Sequence, residues 1–132
     1  MVSGVRGARE MMERLWQIAA KFPDRVGAAL YQEAQIEMTE AKRRTPVATG
    51  ALRASGRVAV PVRRGQNISV TLSFGGAAID YAIYVHENLD AWHGIPPFHG
   101  GQAKFLESVL TESAPYMAAR IARRVHFDRG DI

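Results

Sequence analysis

Three features of the sequence predict an α+β fold, in which an antiparallel β-sheet (a hairpin plus a short strand) packs against two N-terminal helices and a C-terminal helix. Apolar residues recur at helical spacing near both ends of the chain, whereas Ile68, Val70, Leu72 and Phe74 alternate with Ser69, Thr71 and Ser73 in the middle. The element types run helix, helix, strands, helix, without the regular strand–helix alternation that builds a parallel sheet. The 132 residues, 47% hydrophobic and 23% charged, match one globular domain spanning 1–132 with a single modest core.

The first helix is predicted over Arg9–Phe22, where Met11, Leu15, Ile18 and Phe22 form an apolar stripe with Met12, Trp16 and Ala19 alongside. Pro23 ends it, and Asp24 is placed to cap a second helix that runs to about Arg44. Along that helix Val26, Leu30, Ala34, Met38 and Ala41 share one face, and Glu33, Glu37 and Glu40 lie on another. Lys42, Arg43 and Arg44 suit the negative end of the helix dipole, and Thr45-Pro46 breaks the helix.

Ala51–Phe74 changes character. Ser55–Val62 carries Val58, Val60 and Val62 on one side, Arg63–Asn67 reads as a turn, and Ile68–Phe74 alternates, so the two strands read as a β-hairpin. Pro61 favours an edge position for the first strand. Asp80–Leu89 reads as a strand or a strand-to-helix transition. Asp90–Gly101, rich in Gly, Pro, His and Trp, reads as a loop of about ten residues, long enough to carry a task. The last helix starts near Gln102 with Phe105, Leu106, Val109 and Leu110 on its apolar side. Pro115 is expected to kink or restart it with Ser113 as the cap, after which Met117, Ile121 and Val125 continue the face. Residues 127–132 read as a flexible tail.

Composition narrows the function classes. The chain has no cysteine, which excludes disulfides, thiolate catalysis and cysteine-ligated metals. No run approaches 18 uncharged apolar residues and no apolar export segment follows the first residues, so no membrane partner and a cytoplasmic chain are expected. The net charge is +4, and from Ala41 to Ile79 there is no Asp or Glu, while Lys42, Arg43, Arg44, Arg53, Arg57, Arg63 and Arg64 all fall there. Arg120, Arg123, Arg124 and Arg129 form a second basic cluster. Such surfaces attract polyanions by counterion release, and they also register acidic protein partners.

Catalytic patterns are weak. His86, His93 and His99 lie close to Glu87 and Asp90, but there is no His-Glu-x-x-His pair on a helix. Ser55 and Ser73 lack a nucleophile elbow, and Gly75-Gly76 and Gly100-Gly101 lack the lysine and spacing of a phosphate loop. The expectation is no enzyme, no metal and no cofactor. Tyr81, Tyr84, Trp92 and Phe98 could stack on single-stranded nucleic acid, but they sit in an apolar segment and a loop of low charge, where packing or subunit contact is the plainer role.

Three motifs occur in order: Arg43-Arg44-Thr45-Pro46-Val47-Ala48-Thr49-Gly50-Ala51-Leu52-Arg53-Ala54-Ser55, then Tyr81-Ala82-Ile83-Tyr84-Val85-His86-Glu87, then Gly101-Gln102-Ala103-Lys104-Phe105-Leu106. Together, over about residues 24–125, they resemble the tail-completion (neck, or minor tail component) proteins of long-tailed bacteriophages. One departure is that His86 precedes Glu87, and Asn88-Leu89 stands where the family pattern has Gly-Thr. The resemblance implies a virion structural protein without catalysis, located at the head–tail junction and assembled in the host cytoplasm. It implies a homo-oligomeric ring contacting neighbouring neck, connector and tail proteins, with DNA passing through its lumen. The candidate inter-subunit or partner contacts are Lys42, Arg43, Arg44, Arg53, Arg57, His86, Glu87, Trp92 and His93. In that frame residues 1–22 read as an N-terminal helical arm reaching the adjacent subunit, Arg53 as pointing outward, and the acids of the first two helices as partners for a neighbouring copy. A tail terminator or another connector of the same junction is the nearest alternative. A small basic nucleic-acid-binding protein is the alternative from another class.

Overall fold

A computed structural model describes residues 4–45, 50–74, 80–87, 92–94 and 104–125. Helices α1 (Gly4–Lys21), α2 (Pro23–Arg44) and α4 (Lys104–Arg124) cover one face of an antiparallel sheet, which makes the predicted α+β architecture. The sheet contains β1 (Arg57–Val58), β2 (Val62–Arg64), β3 (Asn67–Ser73), β4 (Asp80–Val85) and β5 (Trp92–Gly94). Its order is β1-β3-β4-β5, with β2 also pairing β3 beside β1. A short helix, α3 (Gly50–Ala54), precedes β1.

The core follows from the two periodicities. Ile68, Val70 and Leu72 of β3 pair with Val85, Ile83 and Tyr81 of β4, and all six are buried against the helices. Across from them α2 contributes Val26, Leu30, Ala34, Met38 and Ala41, and α4 contributes Leu106, Leu110, Met117 and Ile121. Helix α1 starts five residues before the expected Arg9, at Gly4. Its buried line is Met12, Leu15 and Ala19, while Met11 and Ile18 sit at the margin. The centre of the expected stripe thus lies on its Met12 and Ala19 side. This helix packs into the chain's own core, and the indole Nε1 of Trp16 donates to Asn67 Oδ1 at 2.7 Å while Gln66 Nε2 donates to the Trp16 carbonyl at 2.9 Å.

The joint between α1 and α2 is one residue long. Phe22 N–H still donates to Ile18 O at 2.9 Å, and Phe22 O already accepts from Val26 N–H at 3.1 Å. Pro23 therefore opens α2 at a position where its missing donor costs nothing, and Asp24 is a first-turn acid rather than the cap. At the other end Thr45 is extended (φ −73°, ψ 129°), as a residue before proline must be. Its hydroxyl donates to Ala41 O at 3.0 Å and its N–H to Lys42 O at 3.1 Å, so two terminal carbonyls are satisfied.

Residues 50–54, ahead of the expected hairpin, form helix α3. Two expectations are corrected in detail. The first hairpin strand is split, because Val58 faces Leu72 and Val62 faces Ser69, so four steps on this strand answer three on β3. That extra residue is a β-bulge, and Pro61 lies within it, on the sheet edge where a missing donor is tolerated. The bulge turns Val60 (71% exposed) and Val62 (53%) out to solvent. Finally, α4 runs unbroken through Pro115, and Ser113 does not cap a new helix. The carbonyl that loses its donor belongs to Thr111, which is exposed and can be solvated. The expected turn after β2 is a two-residue Gly65-Gln66 loop in which Gly65 takes φ +63°, a conformation that glycine adopts freely. The expected flexible tail, 127–132, lies outside the described residues.

Candidate functional site

The most highly charged buried place is the seam between α2 and α4. Glu33 and Glu37 stand one turn apart on α2, and they are 0% and 2% exposed. Arg120 and Arg124 stand one turn apart on α4 and meet them. Arg120 Nη2 donates to Glu33 Oε2 at 2.9 Å and to Glu37 Oε2 at 3.1 Å, its Nε reaches both Glu33 oxygens at 3.3 Å, and Arg124 Nη1 donates to Glu33 Oε1 at 2.5 Å. The Ser113 hydroxyl donates to Glu37 Oε1 at 2.8 Å. Helix α2 is thus covered twice, by the sheet on its apolar face and by α4 on its acidic one.

The two carboxyls differ in their protonation. Burial pushes Glu33 up, but hydrogen bonds from Glu37, Arg120 and Arg124 outweigh it and hold its carboxyl below the usual range. Burial and the adjacent Glu33 push Glu37 up to about 8, beyond what Ser113 and Arg120 recover. Further along the seam Arg44 bridges the helices, with Nη1 and Nη2 donating to Glu112 at 2.7 and 2.8 Å and Nε donating to Glu40 at 2.9 Å. Arg43 donates to both oxygens of Glu40 at 3.0 Å. The hydrogen bonds from these arginines hold Glu40 and Glu112 below the usual carboxylate range.

The candidate contact residues fall into two groups. Lys42, Arg43, Arg44, Arg53 and Arg57 gather around the end of α2. Arg53 Nη2 donates to the Thr45 carbonyl at 2.6 Å, and Lys42 Cε lies against Gly56, next to Arg57. Arg53 is half-buried and turned back to the chain, where an outward direction was expected. His86 and Glu87 follow β4, and the Tyr84 and His86 rings meet edge-on with centroids 5.6 Å apart. Trp92 and His93 belong to strand β5, inside what the sequence presents as a loop, in register with Ile83 and Ala82, and their side chains lie outside the described ones. Arg57 pairs with Ser73 at one end of β3, whereas Val85, just before His86, pairs with Ile68 at the other. Five steps of strand, about 17 Å, separate the two groups.

Of the acids expected to meet a neighbouring copy, three are used within the chain, Glu33 and Glu37 by Arg120 and Arg124 and Glu40 by Arg43 and Arg44, while Glu10, Glu13 and Asp24 are exposed. The second basic cluster is correspondingly half neutralised, and Arg123 remains exposed. The signal for this seam was the matched spacing of four between Glu33 and Glu37 and between Arg120 and Arg124. Among the described residues no group of three or more His, Asp or Glu side chains could hold a metal ion, and no helix is long and apolar enough to cross a membrane.

Comparison with known proteins finds no matching family model, no similar curated protein and no similar solved structure. The class that fold and site define is therefore a two-layer α+β domain with an ion-paired helix seam.

Proposed function

We propose that this chain is a structural subunit of the head–tail junction of a long-tailed phage particle, a tail-completion or neck protein that closes into a ring through which DNA passes. The observation that carries the reading is the work done by the motif Arg43–Ser55. Thr45 closes α2, Arg53 bonds the Thr45 carbonyl, half-buried Leu52 packs on the core, and the Ser55 hydroxyl donates to Leu52 O at 2.6 Å. These roles are architectural, as expected where a shared motif encodes a joint rather than a reaction. A second support is the sheet edge, which keeps Val60, Val62, Arg57, Arg63 and Arg64 on the surface for a head-to-tail contact with the next copy.

The exposed arginines of that acid-free edge also favour a second reading, a small basic nucleic-acid-binding protein. Glu40 and Glu112 already engage Arg43 and Arg44, so this rival rests on Arg57, Arg63 and Arg64. Silencing the gene during particle production separates the readings. The structural role predicts filled heads and finished tails that fail to join, visible by electron microscopy. Normal joined particles would contradict it and turn attention to DNA affinity, which for the rival falls steeply with salt.

A further inference from the structure

We propose that the α2–α4 seam holds one exchangeable proton between Glu33 and Glu37 and so forms a pH-sensitive clamp, closed while Glu37 is neutral and loosened once it ionises. The geometry is unequal for the two carboxyls. Glu33 receives both Arg120 nitrogens and Arg124, whereas Glu37 receives one guanidinium nitrogen that Glu33 shares, plus the neutral Ser113 hydroxyl. Both carboxyls are dry, while Arg120 and Arg124 keep 28% and 21% of their side chains in solvent. The negative charge therefore settles on Glu33, and Glu37 keeps the proton and donates it in a hydrogen bond to Glu33.

The other charged neighbours do not change this assignment. On α2, Glu40 and Arg44 are engaged with Arg43 and Glu112, and on α4, Glu112 is engaged with Arg44. The described charged side chains of α1, at Arg9, Glu10, Glu13, Arg14 and Lys21, are exposed, and so are Arg57, Arg63 and Arg64 of the strands, which meet α2 along its apolar face. A cleft of about 280 Å³ between Ile36, Arg44, Val109 and Glu112 reaches Glu37, so the proton has a route to water.

The sign follows from linkage. An unfolded glutamate releases its proton near pH 4.5, whereas folded Glu37 keeps it to about 8. Between these values the folded state binds the extra proton, so stability declines as pH rises, by up to about tenfold in the folding constant per pH unit, and levels off above that window. Glu33 has the opposite sign, since its low folded value gives stability that is present above its ordinary titration and lost as pH falls into the acid range.

The test is a carbon-13 NMR titration of the glutamate carboxyls in the full chain, beside urea unfolding of wild type and Glu37→Gln across pH. Glutamine copies the neutral acid, with an N–H to offer Glu33 and an oxygen to accept from Ser113 or Arg120. The expected results are one carboxyl titrating near 8, its absence in Glu37→Gln, a flattened decline of stability in that variant, and amide protection along residues 109–117 of wild type, taken relative to the intrinsic base-catalysed rate, that falls above that midpoint but not in Glu37→Gln. If every glutamate titrates in the acid range, or if Glu37→Gln keeps the wild-type slope, the shared proton is overturned. A carboxyl that titrates near 8 without any change in that protection would overturn the clamp. Should Glu37→Gln fail to fold, the wild-type titration and exchange decide alone.

Discussion

Gly56 sits where β1 begins, and a Cβ built there would lie 2.6 Å from the Phe74 ring, 2.9 Å from Lys42 Cε and 2.9 Å from Met38 Sδ. Gly27 is also buried, yet its Cβ would meet Pro61 and Ile68 at an ordinary 3.6 to 3.8 Å. The same substitution should therefore act in opposite directions. Gly56→Ala is expected to cost about 1–3 kcal/mol through overpacking. Gly27→Ala, inside a helix, is expected to stabilise by about 0.5–1 kcal/mol. Chemical denaturation of the two variants checks both signs. Neither role is visible in the sequence, because the conformational freedom of glycine is a local property while the room around it is set by distant residues. Glu33 and Glu37 were hidden for a related reason. An acidic helix face looks solvated until the partner helix is placed, and only Arg120 and Arg124, some ninety positions on, show that it is not.

Helix α1 supplies Met12, Leu15 and Ala19 to the core and ties Trp16 to the hairpin through Asn67 and Gln66. Burying side chains like Met12 and Leu15 contributes about 1.5–3 kcal/mol each, a large part of the net stability of a small domain. A chain beginning at Phe22 is accordingly expected to lose its cooperative thermal transition, measured by calorimetry or circular dichroism. An intact transition would mean that the rest of the domain folds without residues 1–21 and would favour the arm reading. Elements with strong periodicity were legible in the sequence. The alternation in β3 was matched by buried Ile68, Val70 and Leu72, and Pro61 marked the edge. What was not legible depends on tertiary context. The extra residue that splits β1 from β2 appears only in register with β3, and a three-residue strand such as Trp92–Gly94 exists only because β4 offers it an edge. Pro115 is tolerated in mid-helix because α4 is held on either side by Val109, Leu110, Met117 and Ile121.

At the scale of the whole molecule, charge is sorted rather than spread. The helical layer neutralises its own acids and bases across the α2–α4 seam, and the excess behind the net +4 includes the exposed Arg57, Arg63 and Arg64 of one sheet edge. The bulge, the proline and these charges all guard that edge against unspecific strand addition, which suits a surface reserved for a defined neighbour. If copies close into a ring through this edge, Arg57→Glu together with Arg64→Glu should block assembly while leaving the thermal midpoint of the isolated subunit nearly unchanged, since neither side chain is buried. Size-exclusion chromatography with light scattering, beside a thermal melt, reads both quantities. The central claim, membership of the head–tail junction, is tested most directly by quantitative mass spectrometry of purified particles, counting this chain against the portal protein. The account predicts that the chain is present at a ring-like number, about six copies or a multiple of six per particle. Its absence from intact, joined particles would contradict the account.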